Sequence, residues 1–150
     1  MSTPTRSTIR AGIPLHNSAL FHVAQFAIGD PLVYLEIEKE GTICIVRDVE
    51  FDRAIESVPA DQIFVPADFT PEGGLSADRE VATAQAAAEC LYRAGISSVI
   101  ADRSLPLSFA HILREAGIEV VCDLDFGVIE RRQKSADEIE KLQQAQSVTE

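Results

Sequence analysis

Ser98-Val99-Ile100-Ala101, then Ser104 to Gly117, then Ile118-Glu119-Val120-Val121-Cys122 decide the fold, because they read as strand, helix, strand. Ser104 and Pro106 open the helix. Leu107, Ala110 and Leu113 give it one apolar face, and Gly117 stops it. The same order is found one unit earlier. Gln62-Ile63-Phe64-Val65 is a strand ended by Pro66, and residues 67–76 form a loop with Pro71, Gly73 and Gly74. Ser76 is placed to cap a long helix from about Asp78 to Ala94, with Val81, Ala84, Ala88 and Leu91 at helical spacing and Gly95 as its stop. A β-α-β-α-β alternation builds a parallel sheet with helices on its faces.

The region before it is different. Leu32-Val33-Tyr34-Leu35-Glu36-Ile37-Glu38 and Thr42-Ile43-Cys44-Ile45-Val46-Arg47 are rich in β-formers and are separated by Lys39-Glu40-Gly41, which predicts an antiparallel hairpin. Asp48 is placed to cap a short helix through about Ser57. The sum is an α/β three-layer sandwich with a mixed, mostly parallel sheet.

Composition limits what such a chain does. The 150 residues carry 13 basic and 24 acidic side chains, a net charge of −11. Nucleic-acid affinity comes mainly from neutralising phosphates, so this balance argues against nucleic acid and against anionic membrane surfaces. No apolar run nears the roughly 18 residues that span a bilayer. The start, Met1 to Thr8, is polar and has no signal-peptide core, so residues 1–8 read as a flexible lead-in. Cys44, Cys90 and Cys122 are odd in number and far apart, which fits reduced, buried thiols and a cytoplasmic setting.

Candidate chemistry is sparse. His16, His22 and His111 do not stand at metal-ligand spacing, and there is no Cys-x-x-Cys. Gly73-Gly74 precedes a helix N-terminus, where anions are favoured, yet it lacks the G-x-G-x-x-G pattern and a P-loop lysine. It motivates one alternative, a free-standing flavodoxin-like or Rossmann-like small-ligand domain with an all-parallel sheet. Asp123 and Asp125 follow a strand's C-terminal end, a place where α/β folds often put function. No G-x-S-x-G nucleophile elbow is present.

The end of the chain carries the most specific pattern. Ser135 and Glu138 form a capping box, preceded by Arg131 and Lys134 and followed by Ile139, Leu142 and Ala145. The run Arg131-x-x-Lys134-Ser135-x-x-Glu138-Ile139-x-x-Leu142 resembles the domain junction of the creatinase, prolidase and aminopeptidase P family. Upstream, Phe21-His22-Val23-Ala24-Gln25-Phe26 occupies the place of that family's Tyr-Leu-Thr-Gly-Phe-like segment, with Phe26 matching. The stretch from Ile9 to Pro14 is too short for the family's long first helix.

The resemblance implies an RNase H-like N-terminal domain over residues 9–132 and, over 133–150, a linker with the start of a catalytic "pita-bread" domain's first helix. It implies a parent Xaa-Pro aminopeptidase or dipeptidase, a cytoplasmic homodimeric hydrolase. In that family two divalent metals such as manganese activate water against the peptide bond before proline, and all their ligands (two Asp, one His, two Glu) lie in the catalytic domain. The present residues would then hold no metal and no catalytic group. They would assist dimerisation and wall the substrate entrance, with His22 and Phe26 bordering it.

Overall fold

A computed structural model describes residues 7–126. The junction residues Arg131, Lys134, Ser135, Glu138 and Ile139 lie outside the described residues.

Six strands form one sheet in the order β4-β3-β2-β1-β5-β6. They are β1 (Thr8–Gly12), β2 (Leu32–Ile37), β3 (Gly41–Val46), β4 (Gln62–Phe64), β5 (Ser98–Ala101) and β6 (Glu119–Cys122). β2 runs antiparallel to both β1 and β3, whereas the β3–β4, β1–β5 and β5–β6 pairs are parallel. Five strands therefore point one way and β2 alone points back. The expected hairpin is present, with Leu32 opposite Val46 and Ile37 opposite Gly41. It stands inside the sheet, with β4 covering its outer edge.

Two apolar layers follow from the period-2 alternation of the strands. Val33, Leu35, Ile37, Ile43 and Ile45 face the helices α3 (Arg79–Arg93) and α4 (Leu107–Glu115), where Ala84, Ala87, Leu91, Phe109 and Leu113 are buried. Leu32, Tyr34, Cys44 and Val46 face the other way, toward α1 (Ser18–Ala24) and α2 (Phe51–Ser57), with Leu20, Ala24, Phe26 and Ala54 completing that cluster. This is the three-layer sandwich expected. Alanines at 84, 86, 87 and 88 let α3 lie close on the sheet, since its buried side offers little bulk.

The sequence reading missed β1. Thr8-Ile9-Arg10-Ala11-Gly12 is short and holds a charge at its centre, so it does not look like a central strand. Yet Ser7 is buried and Thr8 is already paired to Glu36, so the sheet takes up the last residues of the stretch read as a lead-in. Arg10 is fully buried, and it survives there because Nη1 donates to Glu36 Oε1 at 2.8 Å and the guanidinium lies 4.3 Å from the Phe126 ring centroid. A buried charge without such partners would be strongly destabilising.

One helix was not foreseen and two helix starts shift. The first α-helix, α1, has seven residues and is capped by Asn17, whose Oδ1 accepts from the Leu20 amide at 3.1 Å. Asp48 opens a 3-10 turn instead of an α-helix, and α2 begins at Phe51. Asp78, not Ser76, caps α3, accepting from the Val81 amide at 3.0 Å, while Ser76 Oγ accepts from the Asp78 amide at 3.0 Å. Asp and Ser are comparable caps, so sequence alone does not choose between two candidates two residues apart.

Candidate functional site

Because five strands are co-directional, their C-terminal ends gather at one edge of the sheet. The connections to α1, α2, α3 and α4 all leave from there, the usual location of ligand sites in α/β folds. Three features of this edge stand out.

The first is a cavity of about 240 Å³ beyond the ends of β3 and β4. Val65, Pro66, Ala67 and Ala82 supply apolar walls, and Arg47, Arg79 and Asp48 supply charge of both signs. Both guanidinium groups donate to one oxygen of Asp30, Arg79 Nη1 at 2.8 Å and Arg47 Nη1 at 3.2 Å. Asp30 comes from the loop that leads into β2, Arg47 directly follows β3, and Arg79 is the first residue of α3. Three distant stretches of chain therefore meet at one carboxylate oxygen.

The second is a polar corner between the ends of β1 and β5. Ser104 Oγ bonds Asp102 Oδ2 at 2.5 Å and Asn17 Oδ1 at 3.1 Å, and Asn17 Nδ2 donates to the Ala11 carbonyl at 3.3 Å. Asp102 is buried, and its Oδ1 has no hydrogen-bond partner among the described residues. Gly12 makes the close approach possible: its φ is +135°, and a Cβ there would meet Asn17 Nδ2 at 3.4 Å and the Pro106 ring at 3.6 Å.

The third is apolar exposure. Leu15, Val49, Leu107 and Leu124 follow the C-terminal ends of β1, β3, β5 and β6 in turn, and all four are exposed, Leu107 to 86%.

The residues singled out from sequence scatter. Phe26 is buried in the cluster under α1 and α2, with the Arg53 guanidinium 5.4 Å from its ring centroid. His22 lies in the last turn of α1, half-buried, and its carbonyl accepts from Gln25 Nε2. His16 sits in a 3-10 turn, and His111 pairs with Glu115 on the outer face of α4. Asp123 closes a turn by accepting from the Asp125 amide at 3.0 Å, a local structural role. The Gly73-Gly74 loop folds back into a groove shared with Glu72, Glu89, Tyr92 and Glu115, where anionic ligands would meet three carboxylates. The antiparallel β2 likewise departs from the all-parallel sheet of the small-ligand alternative.

The thiols divide. Burial pushes Cys44 and Cys90 up to about 12, with Glu40 adding to the rise at Cys90, so neither is a nucleophile at neutral pH. Cys122 departs from the expectation of burial and is exposed on the edge strand β6. Among the described residues, no group of three or more His, Cys, Asp and Glu side chains is placed to hold a metal ion. No helix among them is long and apolar enough to cross a membrane.

The site was missed in the sequence because its arginines are isolated. Nothing in Val46-Arg47-Asp48 or Asp78-Arg79-Glu80 marks a pair. The available signal was topological: Arg47 ends one strand and Arg79 begins the helix after the next.

No protein-family model matches the sequence, and no curated protein matches it. Solved structures do. The Xaa-Pro aminopeptidase (aminopeptidase P) chain from Streptococcus thermophilus superposes with a TM-score of 0.61 at 11% identity, over 85% of this chain and 86% of that one. The X-Pro aminopeptidase from Thermotoga maritima gives 0.62 at 15% identity, over 94% of this chain but 37% of that one. The prolidase from Pyrococcus horikoshii gives 0.55 at 18% identity, over 85% of this chain and 30% of that one. The chain thus spans most of the shorter relative and about a third of the longer ones, and what it shares with all of them is the creatinase/prolidase-like N-terminal domain fold.

Proposed function

We propose that the chain is the non-catalytic N-terminal domain of a Xaa-Pro aminopeptidase- or dipeptidase-type metallopeptidase. The observation that carries this reading is the fold shared, over most of the chain, with Xaa-Pro aminopeptidases and prolidases. The junction-like run from Arg131 to Leu142 supports it from the sequence side. In this reading residues 9–132 form the domain, residues 133–150 lead into a catalytic domain, and the parent hydrolyses Xaa-Pro bonds as a cytoplasmic homodimer. In this reading the two divalent metals and the chemistry belong to the catalytic domain; among the described residues no group of three or more His, Cys, Asp and Glu side chains is placed to hold a metal ion.

The domain's contribution is steric and associative. The C-terminal edge, with Leu15, Val49, Leu107 and Leu124 exposed, is suited to lie against another domain or subunit. In this reading His22 borders the substrate entrance, and Phe26, buried in the cluster under α1 and α2, contributes by holding α1 in place. The decisive test is the coding sequence past Glu150. It should continue into a domain with two Asp, one His and two Glu as metal ligands, and a reading frame lacking that series would refute the peptidase assignment. Purified alone with manganese, the 150-residue chain should leave Xaa-Pro dipeptides intact; metal-dependent turnover would overturn its non-catalytic role.

A second reading, a small-ligand-binding α/β domain, is favoured by one observation, the cavity between Arg47 and Arg79. Failure of any small anion to raise the melting temperature would remove it, since a ligand specific to the native state must stabilise that state.

A further inference from the structure

We infer that Arg47 and Arg79 form an oxyanion clamp at the mouth of the β3–β4 cavity, taking the carboxylate or phosphate group of a small ligand. The inference holds under either reading of the domain's role, because it rests on the cavity and its charges alone.

The geometry of the Asp30 contact is the starting point. A guanidinium offers five N–H donors in a planar fork that matches a carboxylate or phosphate edge with two parallel bonds. Here each arginine touches Asp30 through Nη1 only, and both converge on the same oxygen, Oδ1. Among the described residues these are the contacts both side chains make, so each keeps its Nε and Nη2 donors for a second acceptor. Two positive groups meet one carboxylate, which leaves the trio with a net positive charge in a chain whose overall charge is −11.

Two more carboxylates stand nearby and keep their charge: Asp48 lines the cavity, with Oδ1 accepting from the Val49 amide at 2.9 Å, and Asp78 Oδ1 caps α3. That cap also satisfies the helix end. Recognition of an oxyanion therefore rests on the directed guanidinium donors and not on a net positive field. A purely structural latch would gain most from a bidentate, enclosed pair. The observed contacts are single and partly exposed, with 63% of the Arg79 side chain accessible, and such pairs contribute little stability. A ligand oxyanion can therefore share the two forks with Asp30 or displace it, and the apolar walls beyond, Val65, Pro66 and Ala82, would receive the rest of a small organic acid.

The test uses the full 150-residue chain, isotopically labelled, with the arginine Nε–Hε resonances followed in two titrations at constant ionic strength, one with acetate and one with inorganic phosphate. Saturable shifts at Arg47 and Arg79 are expected in at least one. Acetate alone would identify a carboxylate ligand and phosphate alone a phosphate ligand, and either supports the clamp. Asp30→Asn removes the internal competitor and should tighten binding about tenfold, whereas Arg79→Ala should weaken it about tenfold or more. Shifts that never saturate, or that are the same in Arg79→Ala, would overturn the proposal. So would an unchanged dissociation constant in Asp30→Asn. Circular dichroism establishes that each variant is folded. If Asp30→Asn is not, the Arg79→Ala comparison decides, because that exposed side chain contributes little to the core.

Discussion

The two edges of the sheet are built from the same strands and look unlike each other. At the N-terminal edge the chain turns tightly. Gly41, Gly95 and Gly117 take φ values of +87°, +75° and +87°, and the Asp61 carboxylate accepts from both the Thr42 amide and its hydroxyl. At the C-terminal edge the connections are longer. They leave four large apolar side chains exposed, a buried carboxylate oxygen unsatisfied among the described residues, and a cavity flanked by two arginines. Turns at one edge close the backbone's hydrogen bonds locally, so that edge serves folding. The other edge spends its residues on surfaces that α1–α4 do not cover, which is what binding needs.

β1 joins the two edges through the middle of the sheet, and the largest effect is expected there. Arg10→Ala leaves the Glu36 and Phe126 contacts unmade and opens a void, while the half-exposed Glu36 carboxylate is left to water, and it should lower stability by about 2–4 kcal/mol in urea unfolding. A loss below about 1 kcal/mol would mean that β1 is not the structural bridge between the edges.

The core beneath both edges should respond to alkali. Cys44 and Cys90 are raised in the folded chain from 9.0 to about 12, so the unfolded chain gives up these protons first. Their contribution is fully present below about pH 9 and falls as pH rises from 9 toward 12. The expected slope is about 1.4 kcal/mol per pH unit for each thiol. Urea midpoints across that range check it, as does alkylation at pH 8, where Cys122 should react well before the two buried thiols. Equal labelling of all three would contradict the burial.

Gly41→Ala probes the folding edge directly. The positive φ strains any side chain, and the new Cβ would run into the Asp61 carboxylate. A loss of about 1–3 kcal/mol is expected in thermal or urea unfolding. Leu107→Ser probes the opposite edge and should change stability by less than about 0.5 kcal/mol, because that side chain touches little of the core. If Leu107→Ser proved the more damaging of the two, the division between a folding edge and a binding edge would fail.

Periodicity revealed most of the frame. β2, β3, β5, α3 and α4 are strongly patterned and bounded by Gly or Pro, so each was visible before any contact was known. β1 was not, because Arg10 belongs in a strand only once Glu36 and Phe126 are there to receive it. The cap of α3 fell to Asp78 over Ser76 through a choice of register that two equivalent residues leave open. The candidate site was the least legible part. Asp30, Arg47 and Arg79 are unremarkable in sequence and become a set when a loop, a strand end and a helix start are brought together.

The sequence by itself determined the α/β class, the hairpin, the two apolar layers and, through the run ending at Leu142, the family likeness that the fold then matched. Those properties follow from side-chain period and local capping, which act over a few residues. Only the tertiary structure decided that the hairpin lies inside the sheet, that β1 carries a buried arginine, and that two arginines share one aspartate beside a cavity. Each of these depends on partners far apart in the chain, whose meeting is set by strand order and packing, and no local pattern encodes that order.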